Sequence, residues 1–181
     1  MKELSLNVLD IAQNSLVAGA KLTTIETLEN GNTLTITITD NGKGMSEEQL
    51  KSVSDPFFTT RTTRSVGLGI PLFKMAAEMT GGRLDIRSTV GKGTCISATF
   101  DTSSIDCVPI GDMEDTISAL IQMNPDLDFV YRRSIDGKEF KLDTRELREM
   151  LEGVPLNTPD ITVWIREYLA ENLKDLKDLK G

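Results

Sequence analysis

Histidine is absent from all 181 residues. Within this sequence that excludes a histidine general base, a histidine-ligated metal and a phosphohistidine, so a proton acceptor must be a carboxylate or come from another molecule. Cysteine is nearly absent. Cys95 and Cys107 are the only two, too few and too awkwardly spaced for a metal cluster, and two reduced thiols are expected. No apolar run approaches the ~20 residues that cross a bilayer. The opening stretch MKELSLNVLDIAQNS carries acids and amides where a signal peptide has an unbroken apolar core. A soluble, cytoplasmic protein without membrane contact is therefore expected. Basic excess is lacking too. The net charge is −8; residues 1–100 hold 10 acids and 10 bases, leaving 18 acids and 10 bases for 101–181. An acidic half argues against nucleic acid, whose phosphates require a basic footprint.

Hydrophobic periodicity supplies the elements. Leu4, Val8, Ile11, Ala12, Ser15 and Leu16 recur at helical spacing over 3–19, with Gly19 as a left-handed stop. Residues 21–28 and 33–39 (TLTITIT) alternate as strands around the Asn30-Gly31 turn. Ser46 and Gln49 form a capping box for a short helix. Ile70 to Met79 is amphipathic and ends at Gly81-Gly82, and 83–88 with 94–101 form a closing hairpin. A Ser-, Asp-, Pro- and Gly-rich linker spans 102–111. Beyond it, 112–123 predicts a helix, 128–135 and 138–142 a hairpin around Asp136-Gly137, and Asp143 with Glu146 a second capping box. The last helix starts at Thr158-Pro159 and carries one apolar stripe: Ile161, Trp164, Ile165, Tyr168, Leu169, Leu173 and Leu176.

Four motifs stand on these elements. Asp10-Ile-Ala-Gln-Asn14-Ser-Leu lies on the first helix, where Asp10 and Asn14 share a face one turn apart. Asp40-Asn-Gly42-Lys-Gly44-Met45 follows a strand. Asp55-Pro-Phe-Phe58-Thr-Thr and Val66-Gly67-Leu68-Gly69-Ile70 bracket a segment containing Arg61 and Arg64. Gly91-Lys-Gly93-Thr94 closes the last hairpin of this half. Together, and in this order, they resemble the gyrase, Hsp90, histidine-kinase and mismatch-repair ATPase (GHKL) superfamily over about residues 3–100. The histidine-kinase catalytic domain is the nearest branch.

The resemblance implies an α/β two-layer sandwich of the Bergerat type, with a mixed sheet and helices on one face. It implies ATP and Mg²⁺ as ligands. Asn14 matches the Mg²⁺ ligand, and Asp10 the carboxylate that orients water in the gyrase-like branch. Asp40 matches the adenine acceptor, which suits an amino group and leaves a 6-carbonyl unsatisfied. Gly42 and Gly44 allow close backbone approach and positive φ. Met45, Phe58 and Leu68 line the pocket. Gly67 and Gly69 open a helix toward phosphates, Arg61 and Arg64 lie in the lid, and Thr94 helps fix adenine. Two departures matter. Histidine kinases usually carry a lysine where Val17 stands. The sequence contains no histidine and its first helix begins at its start, so the expectation is phosphorylation of a partner in trans.

The expected layout is a nucleotide domain at 1–101, the linker at 102–111 and an acidic α+β extension at 112–181. The extension packs back on the first part, or else offers the Trp164–Tyr168–Leu173 stripe to a protein partner or a second copy. Two functional readings stand at this level. One is a stand-alone ATPase or trans-acting protein kinase; the other is a module that senses ATP or ADP without turnover.

Overall fold

The computed structural model describes residues 3–53 and 69–180. In chain order these form α1 (Leu4–Val17), β1 (Leu22–Asn30), β2 (Thr33–Asp40), α2 (Glu47–Val53), α3 (Gly69–Met79), β3 (Arg83–Thr89) and β4 (Gly93–Asp101). The second half adds α4 (Met113–Met123), β5 (Asp128–Ile135), β6 (Lys138–Asp143), α5 (Thr144–Met150) and α6 (Pro159–Lys180).

Period-two alternation in TLTITITD sends Leu34, Ile36 and Ile38 to one face of β2 and its threonines to the other. The aliphatic set is buried. Across the ladders Ile38 meets Ile25 and Ile96, Ile36 meets Ala98, and Leu34 meets Phe100. This face takes the helices, whose Val8, Ile11, Phe73, Ile117, Leu120, Leu169 and Leu173 join the strand residues in one buried cluster. The expected two-layer sandwich is therefore present. Its sheet runs β3-β4-β2-β1-β5-β6. β1 and β5 pair in parallel and the remaining neighbours are antiparallel.

The second half of the chain continues the first. β5 lies against β1 from Leu22↔Asp128 to Glu29↔Ile135. The stretch 102–111 has a specific task. The carbonyls of Pro109 and Ile110 accept from the N–H groups of Leu4 and Ser5 at 2.9 and 2.8 Å. They satisfy the first turn of α1, which has no side-chain cap.

The first capping box forms as predicted. Ser46 N–H donates to Gln49 Oε1 at 2.9 Å, and Gln49 N–H to Ser46 Oγ at 3.2 Å. At α5, Asp143 instead accepts from the N–H of Arg145 and from its guanidinium, because that ion pair draws the carboxylate toward Arg145. The stripe on α6 is narrower than its sequence implies. Ile165, Leu169, Leu173 and Leu176 are buried, but Trp164 stays 42 % exposed and stacks on Tyr168 with centroids 4.9 Å apart.

One buried ion pair bears on stability. Arg133 points into the core face of β5 and is 3 % exposed, and its Nη2 donates to Glu29 Oε1 at 2.8 Å. Among the described residues, its Nε and Nη1 have no hydrogen-bond partner. Glu29→Ala would strand a buried guanidinium, which costs about 3 kcal/mol or more. We expect a melting temperature lower by roughly 6 °C or more in a chain of this size. Calorimetry checks this, and a variant melting within a degree of the parent would contradict the assignment.

Candidate nucleotide-binding site

The site is assembled where the core face of the sheet runs out from under its helices. Register brings three polar residues side by side there: Ser88 of β3 opposite Thr94 of β4, and Thr94 opposite Asp40 of β2. α1 crosses above them. Its Ser15 Oγ donates to Asp40 Oδ2 at 2.7 Å, while the N–H of Gly42 donates to Asp40 Oδ1 at 2.9 Å. Both oxygens of the half-buried carboxylate are thus held, and each keeps a lone pair for a ligand.

The loop after β2 is fixed by its own side chains and by two neighbours. Asn41 Oδ1 accepts from the N–H groups of Lys21 and Leu22 at 2.8 and 3.0 Å. Lys43 N–H donates to the Ala18 carbonyl, and Gly91 N–H to the Lys43 carbonyl. Met45 N–H donates to Ser88 Oγ at 2.7 Å. Two glycines are required on steric grounds. Gly44 has φ +71°, and a Cβ there would lie 2.1 Å from the Thr89 carbonyl oxygen. Gly93 has φ +129°, with its Cβ position 2.0 Å from the Asp40 carbonyl oxygen. Gly42, also expected at positive φ, is not in that region; it is confined by Ala18, whose carbonyl oxygen would be 2.9 Å from a Cβ.

The other end of the pocket lies N-terminally along α1. Asp10 and Asn14 share one face, and Asp10 Oδ2 would be 2.9 Å from a Cβ on Gly69, the first residue of α3. Burial raises the carboxyl pKa of Asp10 above its usual value, so it holds a proton more readily than a surface aspartate. Among the described residues, neither Asp10 nor Asn14 makes a side-chain hydrogen bond, so both present free oxygens. Asp10 and Ser15 are five residues apart, about 7.5 Å along the axis of α1 at helical rise. An acceptor-bearing sheet end and an oxygen-bearing stretch of helix thus lie along α1. Val17 is 78 % exposed.

The structure therefore brings together Asp10, Asn14, Asp40, Gly42, Gly44, Met45, Gly69 and Thr94. Phe58, Arg61, Arg64, Gly67 and Leu68 lie outside the described residues. Sequence reading assigned no role to Ser15 or Ser88. The available signal was a polar residue at a core-facing position: Ser15 follows the periodicity of Val8, Ile11 and Ala12, and Ser88 follows Leu84 and Ile86.

Comparison with known proteins identifies the class to which this α/β sandwich belongs. Residues 1–104 match the family described as histidine kinase-, DNA gyrase B-, and HSP90-like ATPase. The chain belongs to that family, and its domain is of the histidine-kinase type. An uncharacterised sensor-like histidine kinase of Rhizobium meliloti (strain 1021) is 35 % identical over 88 residues, which is 46 % of this chain and 17 % of that protein. Sensor histidine kinase ZraS of Salmonella typhi is 38 % identical over 71 residues, 39 % of this chain and 15 % of the kinase. Sporulation kinase C of Bacillus subtilis (strain 168) is 28 % identical over 104 residues, 58 % of this chain and 24 % of the kinase. The chain thus spans a quarter or less of the length of these curated relatives. In fold it is similar to the N-terminal domain of a DNA repair protein, with a TM-score of 0.58 at 15 % identity. That likeness covers 79 % of this chain and 53 % of the other, so it reaches past residue 104. No helix among the described residues is long and apolar enough to cross a membrane.

Proposed function

We propose that the chain binds ATP with Mg²⁺ in this pocket and turns it over, as an ATPase or as a protein kinase acting on a partner in trans. The observation that carries the reading is Asp40. A carboxylate held by Ser15 and by the N–H of Gly42, opposite Thr94 across the ladder, is an acceptor set for a purine amino group. The side-chain oxygen of Asn14 suits a hard cation that keeps most of its ligands from water and phosphate. Asn14 would hold the Mg²⁺, which when bound supplies charge neutralisation on the phosphates. Gly69, with Gly67, would face the phosphates, and Arg61 or Arg64 would meet the terminal one. Asp10 is the only proton acceptor proposed for the attacking water or hydroxyl. Its raised pKa makes it a stronger base than an exposed aspartate.

Isothermal titration with ATP and Mg²⁺, followed by overnight incubation and a phosphate assay, tests the reading. We expect binding in the micromolar range with slow phosphate release. Asp10→Ala should retain binding and lose turnover by about a hundredfold or more, the scale of a lost general base. Equal turnover in that variant would remove Asp10 from the chemistry. A second reading, an ATP- or ADP-gated module without turnover, is favoured by Val17. This exposed aliphatic side chain stands where histidine kinases usually place a lysine. Binding without phosphate release, with every protein partner offered, would select it.

A further inference from the structure

The outer face of the sheet, turned away from the helices and from Asp40, carries an arrangement that folding alone does not favour. Period-two alternation puts Thr24 and Glu26 of β1, Thr39 of β2, Arg132 of β5 and Lys141 of β6 on that face. Register sets them in two rows. In one, Glu26 stands beside Arg132, and Arg132 stands directly opposite Lys141. In the other, Thr39, Thr24 and Val130 follow one another across three strands. Like charges directly opposite on an antiparallel pair are destabilising, and Arg132 with Lys141 is such a pair. Neither is well neutralised. Glu26 Oε2 lies 3.8 Å from Arg132 Nη1, beyond hydrogen-bond length. Lys141 makes no ion pair among the described residues. Arg145 of α5 is a third cation here, and its Nε and Nη2 are held by Asp143. Together these side chains line a concavity of about 360 Å³, with the two threonines and the largely buried Val130.

We infer that this concavity is a second ligand site, which takes the phosphoryl group of a small phosphate monoester. A guanidinium fork grips two oxygens of a tetrahedral oxyanion, and an ammonium beside it holds a third as a point charge. An anion seated between Arg132 and Lys141 turns their mutual repulsion into a shared contact. The hydroxyls of Thr24 and Thr39 can donate to its remaining lone pairs. The volume stands near the lower end of the range for small-molecule pockets, roughly 300–1,000 Å³. The rest of the ligand is therefore a short carbon skeleton, for which Val130 supplies the one apolar surface. The site shares no residue with the nucleotide pocket and does not depend on the ATP reading.

The test is calorimetric titration of the whole chain with glycerol 3-phosphate and with inorganic phosphate, at one fixed ionic strength because surface charges are screened by salt. The monoester should bind, and more tightly than the free ion. Lys141→Gln and Arg132→Gln should each weaken it by roughly tenfold or more, the worth of a hydrogen bond to a charged group. Lys141→Arg, which keeps the charge, should retain it, and Asp40→Asn should leave it unchanged. Melting gives a second readout. Saturating monoester should raise the melting temperature of the parent and not that of Lys141→Gln. A parent that binds neither ligand would overturn the inference, as would undiminished binding in both glutamine variants. Equal affinity for the two ligands would make the free ion the occupant and sink the monoester. Binding lost in Asp40→Asn and kept in Lys141→Gln would put the anion in the nucleotide pocket, overturning this inference and leaving the ATP reading in place.

Discussion

Asp40→Asn should bind ATP about a hundredfold more weakly than the parent, with its melting temperature nearly unchanged. The geometry dictates both halves of this result. The N–H of Gly42 points at Asp40 Oδ1 from 2.9 Å, so an asparagine must keep its carbonyl oxygen there to avoid a donor facing a donor. Its amide nitrogen then falls where Oδ2 was. Ser15 Oγ, now 2.7 Å from that oxygen, can rotate and accept instead of donate, and the fold tolerates the exchange. The pocket does not. Where a purine amino group met lone pairs it meets N–H. Loss of one charge-assisted bond, together with an unsatisfied donor, costs on the order of 3 kcal/mol, or about a hundredfold in affinity. Titration and thermal melting on the same preparation check both parts. Undiminished affinity would remove Asp40 from the site. A collapsed melting temperature would make it a structural residue first.

Cutting the chain after Ser104 should leave no cooperatively folded protein, although the family match ends at that same residue. Ile117, Leu120, Ile121, Tyr131, Ile135, Leu169 and Leu173 are each 2 % exposed or less and share one buried cluster with Leu4, Val8 and Ile25. Full burial of each such side chain is worth roughly 1.5–3 kcal/mol. Removing them also uncovers the first-half surfaces that they bury. Several such losses exceed the ~5–15 kcal/mol of net stability typical of a domain. The cut also removes the carbonyls of Pro109 and Ile110 from the start of α1, the helix that carries Asp10, Asn14 and Ser15. Far-UV dichroism and a thermal scan of residues 1–104 would settle it. A sharp transition with ATP affinity equal to the full chain would show that the first half stands alone.

Much of this was legible in the residues because the signals are local. The alternation of TLTITITD, the Asn30-Gly31 turn, the Ser46–Gln49 box and the helical spacing from Leu4 to Leu16 each act within a few positions, and each element formed. The placement of Asp40 beside Thr94 was implied by family likeness and not by spacing. What escaped reading was non-local. Nothing in the polar stretch 102–111 signals that Pro109 and Ile110 cap a helix a hundred residues earlier. Nothing near Leu22 signals a parallel neighbour at Asp128, since register between distant strands leaves no mark on either one. The hydrogen-bond cluster of Met45, Ser88 and Thr94 joins three segments and leaves no mark on any one of them. Trp164 misled for a physical reason. Helical spacing placed it on the stripe, but its ring finds a stacking partner in Tyr168 at the rim and remains partly in water.

The parallel pairing of β1 with β5 also sets an order of events in time. β1 is an inner strand, flanked by β2 and β5, and the partner of Leu22 is Asp128, 106 positions later. β1 with β2, and β3 with β4, can zip antiparallel early, through short turns. The sheet's other half must wait for a loop closure of about a hundred residues, and such long-range pairing is slow compared with local hairpins. During synthesis, a nascent chain that already contains every candidate site residue still displays an unsatisfied strand edge along Leu22–Glu29. Competence to hold a nucleotide should therefore arrive last, when the C-terminal segment docks.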